Sequence, residues 1–312
     1  RNHIKGTVPP TFFQYISAGT KLEAYADQLI KIFPNAIRFC TIGDVVTTVY
    51  DQRSNRAIVV IPIDQQHANQ KSAVTASKAL ELAGVQHIIL FEDEMVNHQL
   101  LEAKLKHYTH AGTVDRLHAR QCDIRQCDKS AKKALLDANH VQGSDVSHIA
   151  YGAYHNDKLV AVMTFSKPRV ALGQKGSVDR TGKWELSRFC TDVSVRIPGI
   201  ASKLLKHFQR SHAWTEIYSY ADKRWSVGNM YHQLGFDLVA DNKPDYTYVI
   251  DGVRKHRWNY RKDILKNTLA NYDPTLTEYQ NMENHGMWRI WDCGTLKFSV
   301  TNQQSEVVCL QN

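Results

Sequence analysis

Apolar and polar positions in the first third of the chain alternate between helix and strand patterns. From Lys21 to Phe33 the apolar residues recur at helical spacing, whereas residues 57–63 form a continuous apolar run typical of a buried strand. Residues 69–83 have a helical pattern that stops at Gly84, and residues 85–91 form a second apolar run. A strand, a helix and a strand joined by short turns indicate a βαβ unit, so we expect the two strands to be parallel.

A different order of elements begins near residue 117. The pattern predicts a strand, a helix, a hairpin, a strand, a helix, a strand, a short helix and a last strand. They lie at residues 117–124, 129–138, 148–165, 184–190, 202–209, 216–221, 227–234 and 246–250. We therefore predict an α/β protein with two domains, residues 1–112 and 113–251, followed by a basic C-terminal extension over residues 252–312.

Composition and charge narrow the functional classes. Of the 312 residues 43% are hydrophobic and 22% are charged, which is ordinary for a globular protein. Almost all of the net charge of +8 lies after Asp115, and a basic region beside a neutral one points to a polyanionic partner such as nucleic acid. No apolar run approaches the roughly 18 residues of a membrane span. We expect a cytoplasmic, DNA-binding protein with no membrane association.

The loop before the helix at 202–209 has residues suited to a phosphate. Gly199 and Ala201 are small enough to let a phosphate approach the backbone N–H groups at a helix start, Arg196 adds charge, and Pro198 removes one N–H. Together with the order of elements and the Gly-Phe ending of residues 229–236, this loop resembles the GNAT (acetyltransferase-like) fold. The resemblance implies acyl-CoA binding at Arg196, Gly199 and Ala201; the alternative is that the loop only starts a helix.

Seven further motifs occur in one order along the chain. They are Asn139–Gly143, Met163–Arg169, Glu185–Cys190, Ala201–Leu204, Tyr220–Ser226, Pro244–Tyr246 and Arg289–Gly294. This series resembles the C-terminal domain of phage-encoded homing endonucleases, and its Tyr-Ala-Asp segment resembles the Mom-type phage DNA-modifying proteins. The first resemblance implies an N-terminal nuclease domain of the Vsr or PD-(D/E)xK type and a place in an infected bacterial cell.

Such nucleases hold a divalent metal with carboxylates at the end of a buried strand. Asp64 ends the apolar run at 57–63, and Asp51 closes the preceding strand candidate. We predict that both bind Mg²⁺ or Mn²⁺, with His67 and Lys71, four residues apart, assisting catalysis. No Glu-x-Lys or Asp-x-Lys follows the strand, so a degenerate, inactive nuclease is the alternative.

Aromatic residues alternate with cations near the end of the chain. Cations neutralise phosphates, and rings such as Trp258 and Tyr260 stack on bases. The residues predicted to contact nucleic acid are Arg188, Lys203, Arg224, Trp225, Arg254, Lys255, Arg257, Trp258, Tyr260, Arg261 and Lys262. Asp222 follows the strand at 216–221, and with Arg224 it is predicted to bind a base edge or act in proton transfer. The alternative is that the two side chains pair to hold a loop.

The leading hypothesis is a mobile-type DNA endonuclease that hydrolyses phosphodiester bonds with a divalent metal. The alternatives are a Mom-like or GNAT-like enzyme that modifies DNA bases, and a non-catalytic DNA-binding protein derived from a nuclease.

Overall fold

The structure is a computed structural model, and it describes residues 13–14, 21–33, 36–41, 47–63, 72–96, 98–109, 114–168 and 180–302. The helices are α1 Lys21–Ile32, α2 Ser72–Leu82, α3 His98–Thr109, α4 Lys129–Asn139, α5 Ile200–Ser211, α6 Asn229–Gln233, α7 Lys262–Thr268 and α8 Glu278–Glu283. Within these ranges, none of the helices is long and apolar enough to cross a membrane.

The strands are β1 Phe13–Gln14, β2 Ile37–Thr41, β3 Thr47–Asp51, β4 Arg56–Ile61, β5 Gln86–Phe91, β6 Asp115–Arg116, β7 Asp123–Gln126, β8 Ile149–His155, β9 Lys158–Ser166, β10 Lys183–Thr191, β11 Val195–Arg196, β12 Glu216–Asp222, β13 Asp237–Asn242, β14 Tyr246–Ile250, β15 Val253–His256, β16 Trp288–Trp291 and β17 Thr295–Thr301. Short 3-10 turns lie at Glu92–Val96, Ala119–Gln121 and Arg257–Tyr260.

The described residues form two compact units, each built from several segments of the chain. The first unit takes those within 1–101, 222–226 and 242–295, and the second those within 102–221, 227–241 and 296–312. Residues 252–295 therefore group with the beginning of the chain. The functions assigned above to three consecutive segments stay predictions.

The first unit contains a five-stranded sheet in the order β1-β2-β3-β4-β5. Strands β4 and β5 are parallel and joined through α2, which confirms the predicted βαβ unit. Val59 and Ile89 are fully buried because this sheet packs against α2, which turns Ala76 and Leu80 inward at helical spacing. The continuous apolar runs in the sequence are thus the buried pair of strands.

A three-stranded antiparallel sheet, in the order β15-β14-β16, belongs to the same unit. Val249 on β14 and Ile290 on β16 are buried in one cluster with Val59 and Leu80. The prediction that β14 ends the sheet of the central domain was therefore wrong, and part of the predicted basic extension is core. The physical reason is the apolar face of these strands, which is buried against the five-stranded sheet and α2 of the same unit.

The second unit is a seven-stranded sheet in the order β7-β8-β9-β10-β12-β17-β13. Its first four strands are antiparallel neighbours, whereas β10 and β12 are parallel and joined through α5. Helix α4 packs on one face with Val162 and Cys190, and α5 packs on the other with Phe165 and Trp184. The predicted order of elements is confirmed from α4 to α6, but a 3-10 turn and β7 replace the long strand expected at 117–124.

Gly228 is a position where the second unit requires glycine. It precedes α6 with a φ of +84°, and a Cβ there would overlap the buried ring of Phe298. Phe298 in turn stacks on Tyr231 at 5.0 Å between ring centroids. A side chain at position 228 would therefore disturb both the backbone and the aromatic packing.

We expect Gly228→Ala to lower the free energy of unfolding of the second unit by about 2–4 kcal/mol, from overpacking and left-handed strain together. The control is Gly235→Ala at the other end of α6, where φ is +82° but nothing lies within 4 Å of a Cβ. It should cost only about 1 kcal/mol. Urea unfolding of both variants makes the comparison; equal losses would contradict the packing explanation.

Candidate functional site

Strands β10 and β12 run parallel but pair over only part of their lengths. Three residue pairs link them, of which the last is Glu185 with Tyr218. Beyond this pair β10 continues to Thr191 and β12 to Asp222, and no further pair joins these two fully described strands. Ligands of α/β sheets gather at the carboxyl ends of parallel strands, where neighbouring connections diverge. The strands therefore part at the edge of the sheet where a ligand is expected.

A serine hydroxyl links β10 and β12 just beyond their last residue pair. Ser219 lies on β12, one residue beyond the last pair, and its hydroxyl donates a 2.7 Å hydrogen bond to the backbone carbonyl of Leu186 on β10. Because a serine hydroxyl has one proton, the 2.8 Å contact between Ser219 Oγ and the phenol oxygen of Tyr231 has Tyr231 as its donor. Burial raises the pKa of Tyr231, so its phenol is neutral and keeps its proton at pH 7.

Helix α5 begins at the same edge, because it follows the carboxyl end of β10. Gly199 precedes the helix with a φ of +82°, a conformation that favours glycine. No oxygen in the described part of the chain accepts a hydrogen bond from the amides of Ala201 and Ser202, and the first turn has no acidic side chain. Two N–H donors at the positive end of the helix are thus open to an anion.

Two cations, Lys203 and Arg196, lie near this helix start in the sequence. The ammonium of Lys203 donates to the backbone carbonyls of Ala119 at 3.0 Å and Cys122 at 2.6 Å. Arg196 lies in β11, which pairs with β6. Lys203 therefore fastens α5 to the turn before β7, and the open donors at the helix start are backbone N–H groups.

Glu185 is a further residue of this edge that sequence reasoning missed. Its neighbours Trp184 and Leu186 are buried beneath α5, so strand alternation places Glu185 on the opposite face of the sheet. On that face burial raises the pKa of Tyr220, and the charge of Glu185 raises it further. Glu185 is the one acid in the predicted strand at 184–190, and this was the available signal.

Comparisons with known proteins found similar solved structures. No protein-family model matches the sequence, and no curated protein matches it significantly. A Bacillus subtilis acetyltransferase in complex with CoA is 12% identical, with a TM-score of 0.32, over 58% of this chain and 99% of that one. A GNAT family acetyltransferase from Elizabethkingia anophelis with acetyl-CoA bound has the same identity, TM-score and coverage.

An aminoglycoside 6'-acetyltransferase of type Ii is 16% identical, with a TM-score of 0.34, over 57% of this chain and 96% of that one. The likeness is distant. Identities and TM-scores at this level do not carry an activity from one protein to another.

These findings correct the leading hypothesis of the sequence analysis. The solved structures named above are acetyltransferases, which conflicts with the endonuclease, homing-endonuclease and hydrolase predictions. The metal-dependence prediction gains no support from them and stays a prediction. The carboxylate of Asp51 accepts hydrogen bonds from the backbone and hydroxyl of Ser54 and so closes its own turn. No metal-binding group of three His, Cys, Asp or Glu side chains occurs among the described residues. Asp64, His67 and Lys71 lie outside them.

Asp222 and two of the predicted nucleic-acid contacts form a buried ion cluster in the first unit. Arg224, 6% exposed, contacts Glu94 at 2.8 Å and Asp222 at 3.2 Å. Arg254 contacts Glu94 at 2.9 Å and binds Asp93 with two hydrogen bonds of 2.6 and 3.1 Å. This arrangement favours the loop-holding alternative for Asp222, and both guanidinium groups are paired inside the unit.

The other predicted contacts differ in exposure. Arg188 donates to the backbone carbonyl of Ser187, Trp225 is partly buried, and the ring of Tyr260 packs on Tyr248 at 5.4 Å between centroids. Five residues lie together on β15, the following turn and the start of α7: Lys255, Arg257, Trp258, Arg261 and Lys262. As nucleic-acid contacts, all of these stay predictions.

We expect Arg224→Met to lower the free energy of unfolding of the first unit by about 3–5 kcal/mol at pH 7, because it leaves a buried carboxylate without its partner. Burial opposes ionisation of Glu94, but the charges of Arg224 and Arg254 hold its pKa below the ordinary value of 4.5. The ion pair therefore stabilises the unit fully above that value, and the stabilisation is lost as the pH falls through the lowered pKa.

The deficit of Arg224→Met should accordingly shrink between pH 7 and pH 3, measured by denaturant unfolding. Arg125→Met is the matched control, because Arg125 and Asp157 form an exposed ion pair. It should cause no measurable change at either pH. A deficit for Arg224→Met that is independent of pH would refute the role assigned to the cluster.

Proposed function

We propose that the second unit is a GNAT-type acyltransferase that moves an acyl group from acyl-CoA to an amine. The observation that carries the proposal is the parting of β10 and β12 beside the open helix start of α5. A gap between parallel strands lets a thioester and an acceptor meet through the sheet. The sequence resemblance to the GNAT fold supports the same assignment.

The residues at the helix start fit the pyrophosphate of CoA. The amides of Ala201 and Ser202 would donate to its oxygens, and Gly199 brings the backbone close without a side chain. A Cβ at Gly199 would meet only Ala119, at 3.8 Å, so the approach is open on that side. Backbone N–H groups and the helix dipole, rather than Lys203, would supply the attraction.

Bound acyl-CoA would supply an activated acyl group on a sulfur that must leave as a thiol. Tyr231 would protonate that sulfur, because its neutral phenol holds a proton at the parting of the strands. Ser219 holds the phenol at this place by accepting its hydrogen bond, and the O–H would turn from Ser219 to the sulfur for the transfer, while Ser219 stays bonded to Leu186. Glu185, on the face opposite α5, would attract an ammonium acceptor and take its proton before attack.

A nucleic acid is the second part of the proposal, as the carrier of the amine that is acylated. The support is the group of exposed cations around Trp258 in the first unit. Base modification of this kind corresponds to the Mom-like alternative of the sequence analysis.

Ala201→Asp separates helix stability from cofactor binding. A carboxylate in the first turn stabilises α5 through the helix dipole by about 0.3–1 kcal/mol, yet occupies and repels at the anion site. We expect CoA affinity, measured by titration calorimetry, to fall at least tenfold while the melting temperature stays level or rises. Ala201→Asn, which lacks the charge, is the control and should bind CoA better than Ala201→Asp; equal affinities would remove α5 from the CoA site.

Tyr231→Phe tests the proton donor. We expect acetyl transfer, followed by release of free thiol with polyamines and nucleosides as acceptors, to fall by about 10²–10⁴-fold. Acetyl-CoA affinity should remain within a few fold, because the phenol acts on the leaving group. Tyr154→Phe, in the same unit but away from the gap, should retain full rate. A wild-type protein that does not bind acetyl-CoA would overturn the proposed function itself.

A further inference from the structure

The first unit presents an aromatic side chain to solvent in a cationic setting. Trp258 lies in the 3-10 turn between β15 and α7, and 54% of its surface is exposed. In the described part of the chain no other aromatic ring packs against it. Burying a tryptophan ring is strongly favourable, so a ring left half in water is an informative exception.

Two guanidinium groups flank the ring. The central carbons of Arg257 and Arg261 lie 5.4 and 5.6 Å from the ring centroid of Trp258. Each arginine is held by a carboxylate, Arg257 by Asp245 at 3.1 Å and Arg261 by Asp263 at 3.0 Å. Each of these contacts uses one nitrogen, so N–H donors remain on both groups for phosphate oxygens.

Three lysines add positive charge to the segment that contains Trp258 and the two arginines. Lys255, Lys262 and Lys266 are exposed, and no carboxylate in the described ranges forms an ion pair with them. The Trp258 surface, defined as these three lysines with Arg257, Trp258 and Arg261, thus has five cations against the two carboxylates that hold the arginines. A surface of this charge suits a polyanion.

We propose that the Trp258 surface binds single-stranded nucleic acid, with an unpaired base stacked on the indole and the flanking phosphates on the cations. An exposed ring beside arginines is a stacking platform that accepts any base, whereas paired bases inside a duplex have no free face. An acidic peptide or a duplex would be held by the charges alone. This inference deepens the second part of the proposed function by naming the form of nucleic acid that is bound, and it does not depend on acyl transfer.

Fluorescence anisotropy of a labelled 15-nucleotide single strand tests the proposal, with a duplex of the same sequence in parallel. Trp258→Ala should weaken single-strand binding by about 5- to 100-fold, and Trp258→Phe should restore most of it. Duplex affinity should change less than twofold in both variants. Val239→Ala, which trims another exposed apolar residue, is the matched control and should change neither.

Salt dependence tests the cations separately. Replacing Lys255, Lys262 and Lys266 by Gln should reduce the slope of log affinity against log salt by about 2 for the single strand, since each phosphate contact contributes about 0.7. An unchanged salt slope in the lysine variant, together with an unchanged single-strand affinity in Trp258→Ala, would overturn the proposal. So would an equal loss of single-strand, duplex and heparin binding in Trp258→Ala, because that pattern indicates attraction by charge without stacking.

Discussion

The hydroxyl of Ser219 is the interaction on which the proposed site depends. Where β10 and β12 stop pairing, the buried backbone carbonyl of Leu186 would lose a hydrogen-bond partner, and an unsatisfied buried acceptor costs about 1–3 kcal/mol. Ser219 supplies that partner at 2.7 Å and accepts the phenol of Tyr231 at 2.8 Å. One side chain thus satisfies the Leu186 carbonyl and holds the phenol of Tyr231 where the two strands diverge.

The parting also divides the second unit into two chemical faces. Strand alternation puts Ser219 on the face of α5, where Tyr231 and the helix start lie, and puts Glu185 and Tyr220 on the other. A leaving group that needs a proton and an amine that must lose one would therefore approach from opposite sides. This separation keeps the proton donor and the proton acceptor from neutralising each other.

Charge pairing explains why the basic part of the sequence is not uniformly a basic surface. Arg224 and Arg254 pair with Asp93, Glu94 and Asp222, because carboxylates that are largely buried need partners. Two residues beyond β15 the chain instead exposes Trp258. The same stretch of sequence therefore contributes both to an internal ion cluster and to a surface.

Local periodicity predicted the elements well. The apolar residues of α2, β4 and β5 follow a clear helix or strand pattern, and one cluster buries residues from all three elements. Long-range assembly was not predictable in this way. The apolar faces of β14 and β16 fit several partners, and Phe298 on β17 enters the second unit's core from beyond the predicted domain. At the site, Gly199 and Ala201 were recognisable as a motif in the sequence. The role of Ser219 could not be predicted, because it depends on the register of β10 and β12.

Backbone amide NMR of the protein titrated with CoA measures the central claim most directly. The account predicts that the amide resonances of Ala201 and Ser202 shift in proportion to binding, because their N–H groups would donate to the pyrophosphate. The amides of Asn229 and Met230, at the start of the other helix at this edge, should shift less. CoA binding that leaves Ala201 and Ser202 unmoved would contradict the account.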